Sequence, residues 1–124
     1  MKNKYNLFLD DERIPYSPNG KEKDAFNYTK NQDYINLDWL IVRSYDKFIK
    51  CIIMNGLPEL VSFDHDIADF TYEYEKTGYD CVKWLSNYCL DNNKKFPKYL
   101  IHTGNNVGSK NMLEYIRNFK KNCE

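Results

Sequence analysis

Three short apolar runs in this chain stop abruptly at polar or charged groups. Leu7-Phe8-Leu9 ends at Asp10-Asp11-Glu12-Arg13, Leu60-Val61-Ser62-Phe63 ends at Asp64-His65-Asp66, and Tyr99-Leu100-Ile101 ends at His102-Thr103-Gly104-Asn105-Asn106. Apolar runs of this length, bounded by charge and turn residues, read as buried strands. They predict strands over 5–9, 60–63 and 98–101, with another over 39–42 that ends at Arg43. Between them the period becomes helical. Tyr45, Phe48, Ile49, Ile52 and Ile53 recur at helical spacing behind Ser44, a capping residue type, and Gly56 with Pro58 stops that helix. Thr77 opens a second helix whose apolar face is Cys81, Val82, Trp84, Leu85, Tyr88 and Cys89, closed by Asp91-Asn92-Asn93. A third helix starts at Ser109, after a tight loop between Gly104 and Gly108, with Met112, Leu113, Ile116 and Phe119 on one side.

Two segments lack a period. Residues 14–36 hold Pro15, Pro18 and Asn19-Gly20 among polar residues, which predicts a long loop with one helical turn near 33–36. Residues 68–76 read as an acidic and aromatic loop. Strands alternating with helices imply an α/β fold with a parallel sheet. The expectation is one domain over residues 1–124, with about four parallel strands in the order 2-1-3-4, flanking helices, and no fifth strand. Ligands of such sheets bind beyond the carboxyl ends of the strands, where the strand order reverses. Asp10, Asp11, Asp64, His65, Asp66 and His102 are therefore expected to converge there.

Composition narrows the partners. Eighteen basic and eighteen acidic residues give a formal net charge of zero, so no whole-protein field draws in duplex nucleic acid, and any anion must be held locally. Cys51, Cys81, Cys89 and Cys123 form no Cys-x-x-Cys pair and have no zinc-like spacing; those within helical patterns read as reduced core residues. There is neither a signal-type apolar segment nor a membrane-spanning run, and the expected location is cytoplasmic.

The chemistry sits in the strand-end groups. Carboxylates gathered at one sheet edge raise one another's pKa unless a cation neutralises them, and Asp10, Asp11 and Asp64 suit a hard divalent ion such as Mg²⁺. Both histidines of the chain fall at strand ends. Two imidazoles flanking a phosphodiester can act as base and acid, with Asp64 beside them; alternatively they ligate Zn²⁺ or Mn²⁺. Arg13 and Arg43 are candidates to fork onto phosphate oxygens, and the loop containing Thr103, Asn105 and Asn106 leads into a helix N-terminus, where an anion is favoured. Lys76 and Asp66 complete the candidate substrate contacts. Tyr16, Phe70, Tyr72 and Tyr74 are candidates to stack on a base, or else to fold back on the core.

The segments Phe8-Leu9-Asp10-Asp11-Glu12-Arg13-Ile14-Pro15, Ser62-Phe63-Asp64-His65-Asp66, Lys76-Thr77-Gly78-Tyr79-Asp80 with Trp84-Leu85, and His102-Thr103-Gly104-Asn105 together resemble the cyclic-phosphate processing receiver domain family. That family is related to the receiver domains of response regulators and occurs in bacteria and their phages. The resemblance implies a flavodoxin-like receiver fold and processing of cyclic phosphates, on RNA ends in repair or on cyclic nucleotide signals. It also implies that Asp10 and Asp11 match the metal-binding acids of receivers, Asp64 the phosphoacceptor position and Thr103 the hydroxyl after the fourth strand. The chain departs from receivers in carrying His65 and His102, in an eroded first crossover helix, and in lacking a fifth strand with its lysine. The expected activity is hydrolysis of a cyclic phosphate on a nucleotide or RNA end. The alternatives are sequestration of a cyclic nucleotide without turnover, as in phage counter-defence, and a degenerate receiver acting through protein partners.

Overall fold

A computed structural model describes residues 4–124. Strands β1 (Asn6–Leu9), β2 (Leu40–Val42), β3 (Leu60–Phe63) and β4 (Lys98–Ile101) form one parallel sheet in the order β2-β1-β3-β4. Helices α1 (Ala25–Thr29), α2 (Asp33–Asn36), α3 (Tyr45–Asn55), α4 (Gly78–Asp91) and α5 (Asn106–Cys123) cover it. Strand order and strand positions agree with the sequence reading. Among the described residues no fifth strand follows β4, and no helix is long and apolar enough to cross a membrane.

Side chains alternate across a strand, and the alternation divides two cores. Leu7, Leu9, Val61 and Phe63 pack with Phe48 and Ile52 of α3, Cys81, Val82 and Leu85 of α4, and Met112 and Ile116 of α5. On the other face Phe8 meets Ala25 of α1 and Tyr34 of α2, flanked by Trp39, Ile41 and Leu100. The polar 14–36 segment is thus a cover for one whole face of the sheet. Cys51, Cys81 and Cys89 are buried and unpaired, as expected of small hydrophobes.

Two expectations need correction. Helix α1 lies inside the segment read as loop, because five residues are too few to display a period. It is specified by its cap: Asp24 accepts from Asn27 N at 2.8 Å through Oδ1 and from Ser17 N at 2.7 Å through Oδ2. The last helix starts at Asn106 rather than Ser109, since Asn105 Oδ1 accepts from Gly108 N at 2.8 Å and acts as the N-cap. Gly108 therefore lies in the first turn of α5, where a Cβ would come within 2.4 Å of the His65 ring.

Helix α4 begins with a capping box in which Thr77 N donates to Asp80 Oδ2 at 2.8 Å, and Gly78 N donates to His65 O at 2.7 Å. A Cβ on Gly78 would lie 1.7 Å from the backbone oxygen of Asp64, so the helix docks on the β3 end only with glycine there. Overpacking against backbone costs about 3 kcal/mol. Gly78→Ala is expected to lower the thermal midpoint by about 10 °C, measured by circular dichroism melting; an unchanged midpoint would contradict this docking.

Candidate functional site

The parallel ladder continues one residue beyond β1, β3 and β4. Asp10 N donates to Val42 O at 3.2 Å, Asp64 N to Leu9 O at 3.0 Å, and His102 N to Phe63 O at 2.9 Å. Asp10, Asp64 and His102 thus stand in one row, two residues beyond Phe8, Ser62 and Leu100. Above this row opens a cavity of about 400 Å³. The end of β1 contributes Asp10, Asp11, Glu12 and Arg13 to its lining, the end of β3 Asp64 and Asp66, and the end of β4 Thr103, Gly104 and Asn105.

Asp10 is fully buried and heavily hydrogen-bonded. Its Oδ1 accepts from the backbone N–H groups of Glu12 and Arg13, each at 2.9 Å, which turns the chain sharply after β1. Its Oδ2 meets His102 Nε2 at 3.0 Å. A carboxylate only accepts, so Nε2 carries a proton, and Nδ1 lies 2.6 Å from Ser62 Oγ. Ser62 Oγ in turn lies 2.6 Å from the Tyr34 hydroxyl. Burial pushes the Tyr34 phenol up to about 12, so it stays protonated. His102 is stacked on Phe8, with centroids 4.4 Å apart and planes 8° off parallel. Burial alone would raise Asp10, but the hydrogen bonds from His102 and from the Arg13 and Glu12 backbone outweigh it and hold its carboxyl below the usual range.

This geometry revises the role expected of His102. Its side chain is buried, both ring nitrogens are engaged, and it does not line the cavity. It orients Asp10. Of about four acceptor sites on an ionised carboxylate, three on Asp10 are filled, and the remaining one belongs to Oδ2.

Asp11 and Asp64 complete an acid cluster: one carboxylate oxygen from each of Asp10, Asp11 and Asp64 lies within 4.8 Å of the others. Burial, and then the neighbouring charge of Asp10, pushes both Asp64 and Asp11 above the usual carboxylate range. Oxygen-only donors, a spare acceptor site and mutual repulsion fit a hard divalent cation.

His65 and Asp66 form a second pair at the rim. His65 Nδ1 lies 2.8 Å from Asp66 Oδ1, and Asn105 Nδ2 donates to Asp66 Oδ2 at 3.2 Å. The His65 hydrogen bond, opposed by a little burial and helped by Asn105, holds the Asp66 carboxyl below its usual range. His65 itself packs against α5 at Gly108.

The expected anion contacts divide. Arg13 lines the cavity, with Nη1 3.7 Å from Asp10 Oδ2. Thr103 and Asn105 line it as well. Arg43 does not: its Nη1 donates to the carbonyls of Asp10 at 3.1 Å and Arg13 at 2.6 Å, clamping the turn after β1. Lys76 is also elsewhere, with Nζ over the rings of Tyr45 at 4.8 Å and Tyr72 at 5.2 Å. Asn106 is the exposed first residue of α5 and lies outside the lining. Among the aromatics, Tyr16 packs edge-on against Phe26 and Tyr72 hydrogen-bonds Asp46; Phe70 and Tyr74 are exposed, and none of the four lines the cavity. The sequence reading missed Tyr34, Ser62 and Gly104. Ser62 alone left a signal, as the one hydroxyl in an apolar strand.

The raised Asp64 pKa predicts a pH dependence. Its ionised form is penalised in the fold, so metal-free stability is regained as pH falls from neutral through the raised folded value towards the ordinary value of 3.8. Melting in chelator is expected to show this gain in wild type and a higher, flatter midpoint at neutral pH in Asp64→Asn. Added Mg²⁺ should raise the wild-type midpoint and leave the variant unmoved. His102→Ala should weaken Mg²⁺ binding about 10- to 100-fold, read by calorimetry.

Comparison with known sequences sets this site in context. No curated protein and no solved structure matches the chain. The family described as cyclic-phosphate processing Receiver domain matches residues 5–118, nearly the whole length. The strand order 2-1-3-4 agrees with that match. The chain belongs to the cyclic-phosphate processing Receiver domain family.

Proposed function

We propose that this protein is a phosphoesterase that hydrolyses a cyclic phosphate on a nucleotide or an RNA end. The observation that carries this reading is the gathering of three acids, the Arg13 guanidinium and a His–carboxylate pair around one polar cavity. Asp10, Asp11 and Asp64 would hold a divalent cation, Mg²⁺ first and Mn²⁺ or Zn²⁺ as alternatives, which when bound would neutralise phosphate charge as a Lewis acid.

The chain's own residues have separable tasks. Arg13 forks onto non-bridging phosphate oxygens, and Thr103 and Asn105 bind from the opposite wall. Asp66, held by His65 and Asn105, aligns the attacking water. The proton of that water passes to the His65–Asp66 pair and returns to the leaving sugar oxygen, so one pair does base and acid work in turn. His102 keeps Asp10 in place and handles no substrate proton. Arg43 fixes the turn that carries Arg13.

A second reading is favoured by one observation: neither imidazole lines the cavity. A protein that binds a cyclic nucleotide without turnover would use the same anion contacts.

Phosphorus NMR separates the two. With Mg²⁺, purified protein is expected to convert the resonance of a 2′,3′-cyclic nucleotide, a 3′,5′-cyclic nucleotide or a cyclic dinucleotide to a monoester or linear diester, and chelator is expected to stop it. His65→Ala should slow conversion about 100-fold. Broadened resonances without conversion would establish the binding protein instead. Wild-type rates in His65→Ala would remove the proposed acid–base pair.

A further inference from the structure

We propose that Tyr28 recognises the base of the substrate, so that this site selects a cyclic phosphate carried by a nucleoside over one carried by a bare sugar. The proposal rests on the phosphoesterase reading for the identity of the phosphate. Its own evidence is the position of one side chain.

The cavity lining is acids, an arginine, a threonine, a glycine and an asparagine, and no ring contributes to it. Such walls suit phosphate and ribose hydroxyls and offer a base no flat apolar surface. Tyr28 supplies one at the mouth. The Arg13 guanidinium carbon lies over its ring, 5.7 Å from the centroid, and a Cβ on Gly104 would sit 3.6 Å from its hydroxyl. Arg13 follows β1 and Gly104 follows β4, and both line the cavity, so the ring stands beside two of its walls. It is 54% exposed, which leaves surface for a ligand.

An exposed tyrosine alone means little. This one stands on a helix whose backbone is held in place. Helix α1 is pinned by both oxygens of Asp24, by Ile14 N donating to Lys23 O and Ala25 N to Ile14 O, and by burial of Ala25 against Phe8. An aromatic side chain fixed before binding loses little freedom when a base stacks on it. Its closeness to Arg13, the candidate phosphate contact, matches the short reach between the 2′,3′-phosphate and the base of one nucleotide. The other strongly exposed rings, Phe70 and Tyr74, belong to a loop tied to α3 through Asp69, which accepts from Tyr45 N at 3.0 Å.

The test compares two ligands that differ only in the base, adenosine 2′,3′-cyclic phosphate and methyl riboside 2,3-cyclic phosphate. Ligand-observed NMR of the full chain with Mg²⁺ reports binding and conversion in one sample. Wild type should bind the adenosine compound more tightly, and Tyr28→Ala should reduce that preference about tenfold, while Tyr28→Phe restores it. A circular dichroism melt confirms that the variants fold. Equal affinity for both ligands in wild type, or an unchanged preference in Tyr28→Ala, overturns the proposal. Tyr28-dependent preference without conversion upholds base recognition and removes hydrolysis of a 2′,3′-cyclic phosphate; conversion without Tyr28 dependence does the reverse. Failure of both ligands to bind overturns base recognition by Tyr28.

Discussion

Everything at this site depends on the ladder of a parallel sheet running one residue past the ends of β1, β3 and β4. Leu9, Phe63 and Ile101 are in register, and the next residues, Asp10, Asp64 and His102, still donate to the neighbouring strand. A parallel ladder fixes both height and facing of each residue it includes. Two carboxylates and an imidazole are therefore delivered to one row on one face, without loop flexibility between them. Slipping any strand by one residue would turn its acid into the other core.

That delivery creates an electrostatic problem, and the two sides of it are resolved differently. Asp10 is made a stable anion by the Tyr34–Ser62–His102 string and by the backbone turn after β1. No buried side-chain polar atom among the described residues is left without a partner. Asp64 and Asp11 receive less support and are pushed upward by burial and by Asp10. One acid is thus fixed as a charge, and the ionised forms of the other two are disfavoured. A buried network that is fully satisfied also rigidifies its members, which keeps the cluster in shape before any ligand arrives.

The segment between β1 and β2 has two functions at once. Tyr34 of α2 closes the hidden end of the string, and α1 sets Tyr28 at the open end of the cavity. A crossover that is only five helical residues and a single turn covers the Phe8 face because its contacts are specific: the Asp24 cap, the edge-on packing of Tyr34 on Phe8, and the stacking of Tyr34 on Trp39.

The sequence by itself determined the strands, their order, the long helices, and the meeting of Asp10, Asp11, Asp64 and Asp66. These follow from local period and from charge at the end of an apolar run, which neighbouring residues display. It could not assign the two histidines their separate tasks, because what packs over His102 and over His65 comes from distant parts of the chain. Arg13 and Arg43 divide for the same reason: one faces the cavity, while the other is consumed by two backbone carbonyls contributed from elsewhere in the chain. Helix α1 and its Tyr28 were illegible because five residues carry no period and the cap that specifies them bonds back across the loop. Which group is buried, which is free and which is paired are properties of side chains brought together over 28 to 92 positions of sequence, from Tyr34–Ser62 to Asp10–His102. Only the closed tertiary structure sets them, because only there do desolvation and hydrogen bonding act on groups that the chain keeps far apart.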